Sequence, residues 1–237
     1  MNESNSITAQ TALFGFIAES AQSDRFSVEL NRRFKERAKD AMMIPMNIRE
    51  DDIYFTLSNM RRSHLKGAYI APEYRKMLLE LLEEHDEGFY DFVWIREGKL
   101  IGARILPAAI GAYVEGLGFK RIAIIGSNAL ASALAEIFKA LHVSFFDPEI
   151  ESLMQLSKAL GKEIDINRIA PGMQVDLSAY DMLIDTTQIG DFSMITALPS
   201  YVMQLENEKG TLRSEHRIDY AAFLPHLSEK TYKELLQ

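Results

Sequence analysis

KRIAIIGSNALA, Lys120 to Ala131, is the stretch on which the fold turns. Lys120–Ile125 is a short, mostly apolar run of the kind a fully buried parallel strand shows. Gly126 ends it. Ala129–Leu141 then reads as a helix of Ala, Leu, Ile and Phe. Val143–Asp147 (VSFFD) is the next strand, closed by an acid. Strand, tight turn, helix and an acid ending the following strand is the layout of a dinucleotide-binding unit. Asp147 lies 21 residues after Gly126, close to the usual spacing of about 20. Turn amides and a helix N-terminus can hold a pyrophosphate, which makes Gly126, Ser127, Asn128 and Ala129 the candidate phosphate loop. Asp147 would accept from the adenosine ribose hydroxyls and repel a 2′-phosphate, so NAD is expected over NADP. Only the first glycine of G-x-G-x-x-G is present; Asn128 stands at the second position and Ala131 at the third. The alternative is a doubly wound sheet that holds no cofactor.

Outward from this stretch, strand and helix patterns alternate. Before it come strands at Thr11–Ala18, Ala41–Ile48 and Gly67–Ala71, with helices at Phe26–Ala38, Glu50–Met60 and Pro72–Glu84 between and after them. Pro45 inside the second strand cannot donate to a ladder and counts against that strand. Phe92–Ile95 and Leu100–Ile105 read as a hairpin around Glu97-Gly98, followed by a helix at Pro107–Gly116. After Asp147 come a helix at Glu149–Leu160, strands at Asp181–Asp185 and Tyr201–Leu205, and a closing helix at Thr231–Gln237. Thr186 and Thr187 follow a strand at its C-terminal edge, where open α/β sheets bind ligands, and they join the cofactor candidates. Two α/β units result, with the boundary near Arg104–Pro107.

The 237 residues carry 34 Asp plus Glu against 26 Lys plus Arg, a net charge of −8. That balance argues against nucleic acid or anionic membrane as partner, because phosphate neutralisation needs basic patches. With no Cys, thiolate metal sites and a Cys nucleophile are excluded. The five His residues, His64, His85, His142, His216 and His226, lack metal-ligand spacing, so no metal is expected. No run of 18 apolar residues occurs and the N-terminus lacks a signal pattern; a cytoplasmic protein, monomer or homodimer, is the expectation.

Several strings resemble the shikimate/quinate dehydrogenases in order as well as content, over roughly residues 11 to 190. Gly15, the serines after it and Asn31–Phe34 resemble the family's opening G-x-P…S-x-S-P-x-x-H-N-x-x-F. Gly67–Tyr74 (GAYIAPEY) resembles N-V-T-x-P-x-K, and Gly88–Val93 (GFYDFV) resembles G-A-V-N-T-V. Arg96–Gly102 (REGKLIG) and Asp181–Gly190 (DMLIDTTQIG) resemble the hairpin before N-T-D-G and the string D-L-I-I-N-A-T-P-x-G. The resemblance implies an N-terminal substrate-binding α/β domain, residues 1–104, then a Rossmann-like parallel-sheet domain, residues 105–237, whose C-terminal helix returns to the first. It also implies hydride exchange with NAD(P) while a Lys and an Asp handle the hydroxyl proton.

Those two positions are altered here. The resemblance places Tyr74 at the Lys, with Arg75 and Lys76 just after it, and Leu106 at the Asp; a Leu cannot relay a proton. Asp91 stands where the substrate site has Asn, and Ala68 and Ile70 replace the Asn and Thr of N-V-T. Each unmet polar partner costs about 1–3 kcal/mol, so efficient shikimate oxidation is not expected. The catalytic candidates are Lys76, Tyr74 and Asp91. Ser20, Ser23 and Ser27 could form a carboxylate site at a helix start or simply cap it. Tyr69, Arg75 and Arg104 complete the substrate-binding candidates; Arg104 would meet either a ligand anion or Asp91. Two functions remain open. One is an NAD(P)-binding oxidoreductase acting on a small anionic metabolite held in the cleft between the domains. The other is a non-catalytic homologue that keeps the scaffold for binding or regulation.

Overall fold

The computed structural model describes residues 7–83, 86, 88–161, 163–206 and 212–236. Glu84 and Gln237, the last residues of two expected helices, lie outside the described residues, as does His85. The chain divides into two compact units. The first is Met1–Ile105 together with Ser228–Gln237, and the second is Leu106–Leu227.

In the first unit the elements run β1 (Ala12–Ala18), α1 (Phe26–Glu36), β2 (Ala41–Asn47), α2 (Ile53–Met60), β3 (Leu65–Ile70), α3 (Arg75–Leu79), β4 (Phe92–Arg96) and β5 (Lys99–Ala103). They form one sheet in the order β2-β1-β3-β4-β5. β1 pairs in parallel with β2 and β3, while β3–β4 and β4–β5 are antiparallel. Pro45 sits on the edge strand β2, where its missing N–H costs no ladder bond. Period-two alternation sorts the strands onto two faces. Ile17, Ala68, Ile70, Val93 and Leu100 pack with Ile53, Leu57 and Leu78 of α2 and α3. Phe14 and Phe16 alternate with Ile17 along β1, and they meet Phe34 and Phe26 of α1. Asn31 of α1 ties this helix to the edge strand: its side chain accepts from the Met43 N–H at 2.7 Å and donates to the Met43 carbonyl at 2.8 Å. Glu97 and Gly98 both have positive φ, 52° and 73°, as the two-residue hairpin turn between β4 and β5 requires.

The second unit begins within α4 (Ile105–Leu117). Its further elements are β6 (Arg121–Ile125), α5 (Ala129–Ile137), β7 (His142–Asp147), α6 (Ile150–Ala159), β8 (Asp165–Arg168), β9 (Val175–Asp176), β10 (Met182–Asp185), β11 (Ile195–Ala197), β12 (Tyr201–Gln204) and β13 (His216–Asp219). The last helix, α7 (Tyr220–Leu235), has its final residues in the first unit. The main sheet runs β13-β12-β10-β6-β7-β8 and every pairing in it is parallel. Sequence order departs in both directions from β6, so the switch point lies between β6 and β10. Ile122, Ala123, Ile124, Ile125, Leu183 and Ile184 are all buried, as central parallel strands must be. At the other end of these strands the Asp181 carboxylate accepts the Lys120 and Arg121 N–H groups, and these bonds hold it below the usual aspartate range. No helix among the described residues is long and apolar enough to cross a membrane.

The largest departures from the sequence expectation lie in four places. Ile105 starts α4 instead of ending a strand, because the buried Asp91 carboxylate accepts its N–H at 2.7 Å. The helix expected from Pro72 is a 3-10 turn, Pro72–Tyr74, and then the short α3. β8, β9, β11 and β13 are short and largely polar or edge strands that no apolar run announces. The closing helix starts at Tyr220, not Thr231. Asp219 accepts the Ala222 N–H at 3.0 Å to cap it, and buried Phe223, Leu224 and Leu227 hold it despite Pro225 within it.

Candidate functional site

The C-terminal edge of the six-stranded sheet gathers the cofactor candidates at the switch point. Gly126 leaves β6 with φ +113°, and its N–H donates to the Phe146 carbonyl at 2.8 Å. A Cβ there would collide with Thr186 Oγ1 and lie 2.8 Å from Thr187 Cγ2. Conformation and space therefore both demand glycine. Thr186 packs into this position because its N–H and hydroxyl both donate to the Ile125 carbonyl, at 3.0 and 2.9 Å.

Asn128 is the N-cap of α5. Its Oδ1 accepts from the Ala131 N–H at 3.0 Å, and its Nδ2 donates to the Thr186 carbonyl. Its backbone is extended, a conformation any residue adopts, so what distinguishes the position is the side chain. Ala129 opens the helix and is exposed. Ser127 donates to Asp147 Oδ2 at 2.9 Å, while Asp147 Oδ1 accepts the Glu149 N–H at 2.9 Å. The acid thus faces the turn, as the ribose role requires, with its oxygens already hydrogen-bonded within the chain.

Asp185 is 4% exposed. Its Oδ1 accepts from the Thr187 N–H and hydroxyl, at 2.9 and 2.7 Å, and its Oδ2 accepts from Gln204 Nε2 at 2.9 Å. Gln204 Oε1 in turn accepts the Leu212 N–H at 2.8 Å. This chain of bonds fixes the loop that faces Gly126. Gln204 was not among the sequence candidates; it ends the strand next to β10, and a polar residue closing an apolar run is the signal that marks it. Arg168 is another. It lies opposite Asp147 in the β7–β8 register, and its Nε reaches the Pro148 carbonyl at 3.4 Å. The short polar strand that carries it hid it.

In the first unit the substrate candidates gather less closely. Ser20 and Ser23 are exposed, and the Ser20 carbonyl accepts both the N–H and the hydroxyl of Ser23. Ser27 is 3% exposed, and its hydroxyl has no hydrogen-bond partner. Asp24 supplies the cap at the start of α1, accepting the Phe26 N–H at 2.6 Å. Tyr69 is buried with its ring 4.5 Å from that of Phe26.

The Tyr74 hydroxyl donates to the Ile48 carbonyl. Burial, then the nearby Glu19, Glu73 and Glu50 carboxylates, push this phenol above its ordinary range. The Arg75 guanidinium lies over the Phe89 ring at 4.8 Å and reaches the Ile70 carbonyl. Lys76, one residue on, is exposed. Arg104 pairs with Asp86 and lies 5.0 Å from the Tyr90 ring centroid. That pairing, with the Tyr90 hydroxyl and Gly88 N–H, holds the Asp86 carboxyl below its usual range. Asp91, fully buried, caps α4. Leu106 is buried.

A positive-φ glycine ending β6, a helix N-terminus and an acid ending the adjacent strand suit an adenine dinucleotide, and the Asn128 side chain stands where the second glycine of the fingerprint would be. No protein-family model matches the chain. Among curated proteins it is 22% identical to the NADP(+) shikimate dehydrogenase of Methanocaldococcus jannaschii over 215 residues, 81% of this chain and 73% of that protein. Among solved structures, a shikimate dehydrogenase in complex with NADP+ superposes with a TM-score of 0.74 at 19% identity, covering 98% of this chain and 92% of the other. The 5-ketofructose reductase of a Gluconobacter species gives 0.72 at 17% identity, covering 97% and 94%. In fold and in sequence alike, the chain resembles the shikimate/quinate dehydrogenase family.

Proposed function

We propose that the chain is an NAD-binding oxidoreductase of the shikimate dehydrogenase type that acts on a small hydroxylated metabolite other than shikimate. The observation that carries this reading is the Gly126 turn, whose conformation and packing admit only glycine at the switch point of a parallel sheet. Asp147 at the end of β7 supports NAD over NADP, because a carboxylate facing the ribose repels a 2′-phosphate. When bound, the nicotinamide would accept a hydride from the carbon bearing the substrate hydroxyl.

The chain's own task is then to hold that hydroxyl and take its proton. Lys76, exposed on α3, is the proposed acceptor, a role that only its neutral amine form can fill. Tyr74 is a weaker choice, since its hydroxyl already donates to the Ile48 carbonyl, and Asp91 already accepts the Ile105 N–H. Ser20, Ser23, Ser27, Tyr69 and Arg75 are the proposed substrate contacts. The sequence expectation of an anionic substrate rests on the hydroxyls of Ser20, Ser23 and Ser27 and on three cations, Arg75, Lys76 and Arg104. Two of these are engaged, over Phe89 and with Asp86, so the test covers uncharged polyols as well as hydroxy acids.

A second reading, a non-catalytic homologue, is favoured by one observation. Both positions that the family resemblance assigns to proton transfer, Tyr74 and Leu106, are built into buried packing. Titration with NADH and NADPH, followed by a substrate screen read at the NADH absorbance, separates the two. NADH binding with turnover of any hydroxy compound supports the oxidoreductase. NADH binding without turnover supports the second reading. Failure to bind either nucleotide overturns the first.

A further inference from the structure

We propose that the Asn128 side chain is a latch across the nucleotide turn, which a dinucleotide must open, and that it sets the protein's affinity for that ligand. The inference rests on the nucleotide reading of the Gly126 turn. In a G-x-G-x-x-G turn the second glycine leaves the pyrophosphate free to approach the backbone. Here Asn128 fills that position as the N-cap of α5. Its amide does two things at once. Oδ1 takes up the Ala131 N–H, one of the donors that the start of α5 offers, and Nδ2 holds the Thr186 carbonyl. The side chain therefore runs from the α5 N-terminus to the loop after β10, over the switch point.

The neighbouring acid is engaged in the same way. Ser127 donates to Asp147 Oδ2, the kind of bond a ribose hydroxyl would make. Thus the turn meets its hydrogen-bonding needs from its own chain. A pyrophosphate competes by making charge-assisted bonds, stronger than those of a neutral amide, and by interacting with the helix dipole. It wins only by displacing Asn128, and the affinity falls by what those two bonds contribute.

Replacement tests this directly. Asn128→Gly removes the latch. Asn128→Ser keeps a capping oxygen on α5 but is too short to bridge to Thr186. Both are titrated with NADH by nicotinamide fluorescence, beside the wild type, with thermal melts to show folding. Asn128→Gly is expected to bind about tenfold more tightly, which corresponds to ~1.4 kcal/mol, and Asn128→Ser, which loses only the Thr186 bond, to bind more tightly by a smaller factor. If Asn128→Gly fails to fold, the Ser variant decides. Equal or weaker binding by folded variants, with the wild type binding, overturns the latch and leaves the nucleotide site standing. No binding by any of the three overturns both.

Discussion

At the scale of single residues, Gly126 is the position with least freedom. Gly126→Ala combines a positive φ with a clash against Thr186 and Thr187, and should cost about 2 kcal/mol or more. A lowered midpoint in urea unfolding, with loss of NADH binding, is the expected result; an unchanged midpoint would mean the turn can relax. Asp147 answers a different question. Asp147→Asn removes the charge, keeps an acceptor for the Glu149 N–H and offers Nδ2 as a donor to the Ser127 hydroxyl, so stability should change little. The NADPH affinity should rise relative to NADH by about tenfold, the share of a single charge in discriminating against a phosphate. Parallel fluorescence titrations with the two nucleotides give that ratio. Tyr74→Phe removes the bond to the Ile48 carbonyl and should cost about 1 kcal/mol, measured by denaturant unfolding. A large loss of turnover without loss of stability would instead put the phenol in the chemistry.

At the scale of elements, α1 and α7 are held together by charge. Arg33 reaches Glu29, Glu229 and Ser228, and Arg37 reaches Glu229 and lies over the Tyr232 ring at 4.3 Å. The Arg37 contact, ahead of other causes, holds Glu229 below the ordinary glutamate range. A carboxyl lowered in the folded state stabilises above its unfolded pKa, and that contribution is lost as pH falls through the lowered value. Glu229→Gln should therefore be about 1 kcal/mol less stable at neutral pH. The difference should shrink towards about pH 3, which urea melts at both pH values would show. The same scale explains what was legible in the sequence. β6, Gly126, α5, β7 and β10 announce themselves by apolar runs of the right length. β8 (DINR) and β13 (HRID) are short, polar and peripheral, so no periodicity marks them. The part of α7 before Thr231 contains Pro225, whose missing N–H breaks the helical hydrogen-bond pattern there. At the site, the identities of Gly126 and Asp147 could be read from spacing. The Asn128 bridge and the Asp185–Gln204 pair could not, since they join residues 58 and 19 apart through side chains.

At the scale of the whole molecule, the net charge of −8 sets how the protein meets its surroundings. Screening lengths of about 10 Å at 0.1 M salt leave an acidic surface repelling polyanions at low ionic strength. No retention on heparin and no sedimentation with anionic vesicles are the expected results; retention of the folded protein would reveal a basic patch that the overall balance hides. The two units also differ in how their cores are made. The second takes its sheet from one run of chain. The first takes residues from two separate stretches, so that Phe34 of α1 meets the tilted ring of Tyr232, 5.8 Å away between ring centres.

That last contact fixes the moment at which the protein can finish folding during its synthesis. Arg33 meets Ser228 and Glu229 across 195 and 196 residues, and loops of that length close late. While the ribosome is still adding the second unit, the first has its five strands but lacks the cover over Phe34. The face of Phe34 that Tyr232 covers is expected to stay open until α7 has left the exit tunnel. A nascent chain stalled or cut before Ser228 would therefore hold an incomplete first unit, prone to aggregation and attractive to chaperones.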